Sequence, residues 1–231
     1  MSSDSIVTVK PLEATPGLKE SVYQAIKDAI SGMDIYSGEE PPKLDERKLA
    51  MNLGVSRTPI REAITRLEQE GLVKTYPRRG AFVVRKSKAE ILEIVCVWAG
   101  LEGMAARLVT ENASDEEIAS MRRMFTTFDD SHEARAHIDE YSDTNILFHQ
   151  RLIELSKCRL LKEITDGLFM HMRAIRRKTI GERDRATESI IDHMRIIRAL
   201  EARDATMAEQ LVREHAMNLA EHIKQYVDYL D

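Results

Sequence analysis

The sequence is poor in residues that mark several protein classes. Of its 231 residues only 5% are aromatic, and the two cysteines, Cys96 and Cys158, lie far apart. Because no C-x-x-C pair exists, nothing indicates a redox motif or a zinc ribbon. Both cysteines fall within apolar helical patterns, which predicts buried thiols in a reducing compartment.

Long apolar runs are also missing. No stretch approaches the roughly 20 apolar residues that a membrane-spanning helix needs. Residues 1–16 lack the charged start and apolar centre of a secretory signal peptide, so we interpret them as a flexible arm. These features predict a cytoplasmic protein without a membrane partner.

Charge is distributed unevenly along the chain. Residues 1–86 contain 14 Lys and Arg against 12 Asp and Glu, whereas residues 87–231 contain 20 against 27. The net charge of −5 therefore combines a mildly basic first part with an acidic remainder. This distribution fits a protein that touches phosphate at one end only.

The basic part has the pattern of helix, tight turn, helix and hairpin. Apolar residues at four-residue steps predict a first helix over 18–31, and a second is predicted over 45–52. Gly54 provides the conformational freedom for a sharp turn, and Ser56 is a suitable N-cap for a third helix. Two alternating segments within 72–84 then predict a two-stranded hairpin.

The third predicted helix has the properties of a DNA reader. A helix in the major groove needs exposed donors on its first turns and an apolar back, and Arg57 and Arg61 face away from Ile60 and Ile64. Arginine pairs with guanine, and a basic hairpin tip suits the minor groove. A solvated charged face is the alternative interpretation. The predicted DNA-contacting residues are Arg47, Ser56, Arg57, Thr58, Arg61, Arg79 and Gly80.

From Ser87 onward the pattern is entirely helical. Capping boxes begin at Ser87 and Ser114. Such helices, joined by short polar loops, form an antiparallel bundle. The fold class is therefore mainly α, with a helix-turn-helix domain over 17–86 followed by a bundle domain over 87–231. The six predicted bundle helices span 88–111, 115–129, 133–156, 159–180, 187–202 and 204–229.

Three histidines interrupt apolar stripes on three of these helices. They are His149, His193 and His215, and Asn145 shares a helix face with His149 because it lies four residues earlier. A single inward histidine is usually a hydrogen-bonded core residue, whereas several buried imidazoles without a shared purpose are costly. The spacing alone leaves both a metal site and a hydrogen-bonded core open.

An enzymatic use of these histidines is disfavoured. None of the seven histidines has a Glu three residues before it, as carboxylate di-iron bundles require. Asp192 is adjacent to His193, but neighbouring side chains on a helix diverge by about 100°, so it is poorly placed as a general base. We therefore predict a protein that is not an enzyme.

The basic part resembles a known family of regulators. The segment LDERKLAMNLGVSRTPIREAITRLEQEGLVKTYPRRGAFV is similar to the winged-helix signature of the GntR family of bacterial transcription regulators, and SRTPIREA is its most specific part. The resemblance implies that the DNA contacts fall on Arg47, Arg57, Thr58, Arg61 and the Arg79-Gly80 pair. It also implies a homodimer on a palindromic double-stranded operator.

The helical part resembles the FCD ligand-binding domain of the FadR-type branch of that family. The matching pieces are N-x-x-F-H over 145–149, the segment that begins at Asp192, and R-E-H ending at His215. The resemblance implies a divalent metal, zinc or another first-row transition metal, held by Asn145, His149, His193 and His215. Because Asn145 is neutral where many relatives have a carboxylate, an anionic ligand such as a carboxylate is favoured at the ion.

The expected effector pocket departs from the family pattern. Many relatives have an Arg four residues before the position of Glu102, and here that position is Trp98, which is either core packing or a pocket wall. We assign Trp98, Arg173 and Met194 to the pocket. The expected function is a ligand-responsive transcription repressor. The alternatives are a metal-free sensor with a histidine-lined pocket and, less favoured, a helical-bundle metalloenzyme.

Overall fold

The structure, a computed structural model, describes residues 17–36, 38–125 and 138–230. In these ranges the chain forms two compact units, one of residues 17–29 and 42–83, the other of 30–41 and 84–230. Helices dominate, as the predicted fold class requires, and none of those described is long and apolar enough to cross a bilayer. The predicted arm over 1–16 lies outside the described residues.

The first unit combines helices with a small antiparallel sheet. The sheet order is β1 (43–44), β3 (80–83), β2 (73–76), with Val73 opposite Val83 across the hairpin and Lys43 opposite Phe82 at the other edge. The predicted two-stranded hairpin is present as β2 and β3. The strand β1 was not predicted, because two residues are too few to show an alternating pattern. The elements are α1 (Leu18–Gly32), β1 (Lys43–Leu44), α2 (Glu46–Leu53), α3 (Arg57–Gln69), β2 (Val73–Tyr76) and β3 (Gly80–Val83). The last three residues of α1 belong to the second unit.

Local chemistry explains the turn between α2 and α3. The Asp45 carboxylate accepts the first free N–H groups of α2, those of Arg47 and Lys48. Gly54 ends α2 in the left-handed region, at φ 65°, which is strained for any residue with a Cβ. Ser56 occupies the N-cap position of α3, as predicted, but its side chain makes no capping hydrogen bond.

The second unit is an antiparallel bundle in which α4 packs against α6, α7, α8 and α9. Both predicted capping boxes are present, at Ser87 and Ser114. Helix α5 ends at Arg123, earlier than predicted, and its last turn has i to i−3 hydrogen bonds from the N–H groups of Met124 and Phe125 to the carbonyls of Met121 and Arg122. The predicted segments 126–129 and 133–137 lie outside the described residues. The helices are α4 (Lys88–Asn112), α5 (Asp115–Arg123), α6 (Ile138–Leu155), α7 (Arg159–Thr179), α8 (Arg185–Glu201) and α9 (Ala205–Tyr226).

A loop over residues 34–40 also belongs to this unit. The Arg85 guanidinium donates to the carbonyls of Ile35, Gly38 and Glu40 at 2.6, 3.0 and 2.9 Å. The buried Tyr36 hydroxyl lies 3.3 Å from Nδ1 of His171 on α7. Arg85 therefore satisfies three backbone carbonyls of this loop that have no partner in a helix or strand.

The expectation of two buried cysteines was wrong. Cys96 is exposed and Cys158 is half-buried. On α4 the inward positions are taken by Val95, Trp98 and Ala99, and Cys96 is rotated about 100° from Val95 toward solvent.

Candidate nucleic-acid interface and metal centre

The residues predicted to contact DNA lie on exposed parts of the first unit. The side chains of Arg57, Thr58 and Arg61 are exposed on the first turns of α3, while Ile60 and Leu67 are fully buried on its other side. Arg47 on α2 and Ser56 before α3 are exposed as well. A polar outer face on an apolar back is the arrangement that a major-groove helix needs.

A carboxylate holds two of these arginines together. Glu46 Oε2 accepts from Arg57 Nη2 at 2.7 Å and from Arg61 Nε at 2.9 Å. Hydrogen bonds from Arg57 first, and then from Arg61, lower the pKa of Glu46 below its ordinary value. Sequence reasoning missed Glu46, because separations of 11 and 15 residues across a turn carry no periodic signal.

The hairpin tip is shaped by backbone conformation. Arg78 has φ 64° and Gly80 has φ 103°. A Cβ at Gly80 would lie 3.2 Å from Lys43 Cε, so a side chain there would be both strained and crowded. The exposed Arg79 places its guanidinium 5.7 Å from the Phe82 ring centroid, which orients the charge at the tip.

In the second unit, α6, α8 and α9 bring three histidines together. The ligand-capable atoms of His149, His193 and His215 all lie within 4.8 Å of one another. The three residues are 1%, 0% and 5% exposed. Asn145, one turn before His149 on α6, is buried as well. The three predicted histidines therefore form one cluster.

Each histidine is oriented by a hydrogen-bonding group at its Nδ1 atom. His149 Nδ1 lies 2.5 Å from Glu102 Oε1, and His215 Nδ1 lies 3.1 Å from Asp192 Oδ2. His193 Nδ1 lies 3.3 Å from the Tyr141 hydroxyl. Such partners fix ring orientation and leave Nε2 as the remaining nitrogen of each ring, an arrangement typical of metal-binding histidines.

Burial favours the neutral forms of His193 and His215. Burial lowers the pKa of His193 well below its ordinary value, and nearby His215, Arg176 and Arg185 lower it further. Burial also lowers the pKa of His215, although Asp192 opposes the shift. Neutral imidazole is the form that binds a metal ion.

The unpaired atoms of the cluster fit a divalent cation. Nε2 of His149, Nε2 of His193 and Oδ1 of Asn145 are buried without a hydrogen-bond partner. Each such atom costs about 1–3 kcal/mol when left unsatisfied. A first-row ion with nitrogen and oxygen ligands would satisfy all three, and the Glu102 and Asp192 carboxylates supply the negative charge that Asn145 lacks.

Glu102 is a buried residue that sequence reasoning used only as a reference point. It is 0% exposed and accepts from Trp98 Nε1 at 2.8 Å and from Arg176 Nη2 at 3.3 Å, in addition to its contact with His149. Burial raises the pKa of Glu102, and Arg176 opposes this shift. A Glu on the same helix face as Val95 and Val109 was the signal that would have revealed it.

The three residues assigned to the effector pocket have different surroundings. Trp98 is buried and donates to Glu102. Met194 is half-buried and packs against the bundle core, and Arg173 is half-buried with an unpaired Nε. Arg176, three residues further along α7, makes the contact with Glu102.

Comparison with protein families agrees with both halves of the architecture. Residues 93–218 match the FCD domain, and residues 18–83 match the bacterial regulatory proteins of the gntR family. The chain belongs to the GntR family of bacterial transcription regulators. This GntR protein is thus a DNA-binding transcription regulator with an FCD domain and not an enzyme, as predicted.

Known GntR proteins resemble the chain over nearly its whole length. The HTH-type transcriptional regulator YdhC of Bacillus subtilis is 28% identical, covering 89% of this chain and 91% of YdhC. The HTH-type transcriptional repressor RspR of Escherichia coli is 22% identical, covering 93% and 92%. The solved structure of E. coli McbR/YncC is 23% identical, and the match covers 92% of this chain and 99% of the McbR/YncC chain. The TM-score of 0.74 shows that the two proteins share the fold.

Proposed function

We propose that this GntR protein is a cytoplasmic, ligand-responsive repressor that binds a palindromic operator as a homodimer. In this proposal residues 17–86 form the DNA-binding domain, and residues 87–231 form the domain for effector binding and dimerisation. The name of RspR, a transcriptional repressor, supports the sign of regulation. The small positive excess of residues 1–86 supports pairing, because two weakly basic units on one operator bind more tightly than one.

The DNA-binding part of the proposal depends on the exposed donors of α2, α3 and the hairpin. Arg57, Thr58 and Arg61 read base edges and phosphates in the major groove, while Arg47 contacts the backbone. Arg79 and Gly80 approach the minor groove. Glu46 holds Arg57 and Arg61 in one direction before DNA arrives.

An operator selected from random duplexes, tested by gel shift, examines this part. Arg57→Ala and Arg61→Ala should each weaken operator binding by about 1–3 kcal/mol, the usual contribution of a base-reading arginine. Arg66→Ala is the matched control on α3, since Arg66 lies over the Tyr23 ring and pairs with Glu20. Operator binding that both α3 substitutions leave unchanged would reject the reader assignment.

The regulatory part depends on the histidine cluster. Asn145, His149, His193 and His215 would hold a divalent metal, zinc or another first-row transition metal, and the bound ion would supply a Lewis-acidic centre for an oxygen ligand. The single observation that carries this assignment is the pair of buried, unpaired Nε2 atoms on His149 and His193. Glu102, Tyr141 and Asp192 keep the rings in place for that role.

The effector in this proposal is a small carboxylate that binds inside the bundle. Because His149, His193 and His215 come from three different helices, a ligand bound among them changes the packing of α6, α8 and α9. A ligand that prefers one packing shifts the population of that state, and operator affinity shifts with it.

Metal analysis of protein purified without a nickel resin tests the metal assignment. Native protein should carry about one equivalent, and His149→Ala and His193→Ala should lose it. His222→Ala is a matched control, because His222 is also buried on α9 but pairs with Glu182 at 2.6 Å. An absence of metal from every sample, even after incubation with zinc, would leave the metal-free sensor as the correct function.

A further inference from the structure

The hairpin and the strand beside it carry positive charge without nearby negative partners. Residues 72–84 contain Lys74, Arg78 and Arg79 and no Asp or Glu, and Lys43 begins the neighbouring strand β1. Within the described residues none of these four cations forms an ion pair. Several other basic side chains of the first unit do, namely Lys19 with Glu62, Lys27 with Glu70, Arg57 with Glu46 and Arg66 with Glu20.

The sheet register places two of these cations on one surface. Lys43 and Lys74 are both paired with Phe82, one on each side of the central strand β3. Residues directly opposite each other in antiparallel strands lie on the same face of the sheet. Val83, next to Phe82, points the other way and is buried, so the face of Phe82 is turned to solvent. We call this surface the wing face, and it consists of Lys43, Lys74, Tyr76 and Phe82.

Two aromatic rings order the cations of the wing face. Lys43 Nζ lies 5.6 Å from the Phe82 ring centroid, and Lys74 Nζ lies 5.4 Å from that of Tyr76. The two rings meet edge to face with their centroids 5.9 Å apart, and the Arg79 guanidinium lies 5.9 Å from Tyr76 and 5.7 Å from Phe82. A cation over a ring is restrained but keeps N–H groups available. These side chains therefore lose less conformational freedom when they bind a ligand.

The spacing of the two lysines fits the phosphates of a duplex. They stand on the outer strands β1 and β2, two strand spacings or about 10 Å apart. Phosphates follow one another at a rise of about 3.4 Å along each DNA strand, so Lys43 and Lys74 can reach different phosphates. An ammonium group binds phosphate as a compact point charge, and such a contact carries no information about the base sequence.

Single-stranded nucleic acid is the other ligand that basic and aromatic side chains attract. It binds by stacking bases on open ring faces. Here Lys74 and Arg79 lie over the Tyr76 ring, and Lys43 and Arg79 lie over the half-buried Phe82 ring. Cations occupy the positions that bases would need, which favours the duplex backbone as the ligand.

We propose that the wing face is an additional DNA-contacting surface, on which Lys43 and Lys74 bind duplex phosphates independently of base sequence. The inference rests on the DNA-binding part of the proposed function, and it adds residues to those on α2, α3 and the hairpin tip. Arg57 and Arg61 on α3 already bond to Glu46, whereas the wing-face lysines have no carboxylate to leave. The wing face therefore supplies affinity for any duplex, and α3 supplies discrimination between sequences.

The salt dependence of duplex binding tests this surface. Fluorescence anisotropy of the full chain with a labelled duplex of mixed sequence gives the slope of log affinity against log salt concentration, to which each phosphate contact contributes about 0.9. Lys43→Gln and Lys74→Gln should each lower the magnitude of the slope by about 0.9, and the double Gln variant by about 1.8. The double Arg variant keeps both charges and should keep the native slope. Lys19→Gln is the matched control, because this exposed lysine of the same unit pairs with Glu62.

Three results would overturn the inference. The first is a native slope in the double Gln variant, and the second is a double Arg variant that loses as much slope as the double Gln variant. The third is a single-stranded oligonucleotide that binds more tightly than the duplex and is lost on the same substitutions, because it would make the wing face a stacking platform. Duplex binding with an unchanged slope rejects only the wing face, whereas native protein that binds no duplex would reject the DNA-binding part of the proposed function as well.

Discussion

Acidification should destabilise the second unit through His171. This side chain is 3% exposed, and burial lowers its pKa to about 4, with a further lowering by Lys86 and an opposing effect of Glu90. The unfolded chain takes up a proton as the pH falls below about 6.5, whereas the folded chain resists until about 4. The contribution of His171 to stability is therefore fully present above the unfolded-state pKa of about 6.5. It falls as the pH drops toward the folded-state pKa of about 4, and it changes no further below that value.

The two pKa values determine the size of the effect. Between about pH 7 and about pH 5, His171 alone should remove about 2 kcal/mol of unfolding free energy, from a maximum of about 3 kcal/mol for the whole shift. This is a large fraction of the roughly 5–15 kcal/mol of unfolding free energy that is typical of a folded domain.

Urea unfolding followed by circular dichroism, at both pH values and with a chelator present, measures this loss. His171→Gln should lose about 2 kcal/mol less than the native protein on acidification, since the other titrating groups cancel in the comparison. Tyr36→Phe should retain the native pH dependence, because burial rather than the hydrogen bond to Tyr36 is the main cause of the shift. Equal losses for the native protein and His171→Gln would refute the reasoning.

Four further substitutions test other parts of the structure. Glu46→Gln should tighten binding to non-specific duplex DNA by about 2- to 10-fold in fluorescence anisotropy, because a carboxylate no longer competes with phosphate for the α3 arginines. An unchanged affinity would contradict this expectation. Gly54→Ala should cost about 1 kcal/mol of stability in thermal unfolding, because a Cβ is strained on a left-handed backbone even where the surrounding space is open. Gly100→Ala, in the middle of α4, should instead stabilise the protein by a similar amount, because Ala favours a helix more than Gly does. Arg85→Ala should lower the free energy of unfolding by about 2 kcal/mol and increase amide hydrogen exchange over residues 34–40. Exchange as slow as in the native protein would show that the loop does not depend on this arginine.

The helical framework was predictable because its signals are local. Capping boxes at Ser87 and Ser114 mark helix starts, and four-residue apolar steps mark the buried faces. The same periodicity singled out His149, His193 and His215 as inward-facing residues. Their assembly into one cluster required the packing order of α6, α8 and α9, which a single sequence does not contain.

The features that were missed depend on contacts between distant segments. The two-residue β1 exists only because β3 offers it an edge. Glu46 acquires its role from the turn that brings α2 beside the start of α3. Arg176 and Arg177 look equivalent in a basic run, yet the bundle buries one and exposes the other. Because consecutive arginines show no helical periodicity, the sequence does not indicate which of them faces the core, and the structure was needed to identify it.

The indole of Trp98 gives this protein a built-in optical reporter. It is the only tryptophan in the chain, and its N–H bonds directly to the carboxylate that orients His149. The Arg176 guanidinium lies 5.8 Å from its ring centroid. A change at Glu102 or Arg176 alters the surroundings of this single indole, which can be excited at longer wavelength than the six tyrosines. If the proposed metal and effector bind at the histidine cluster, each should change the emission of Trp98, and a fluorescence titration of the unlabelled protein would follow the change.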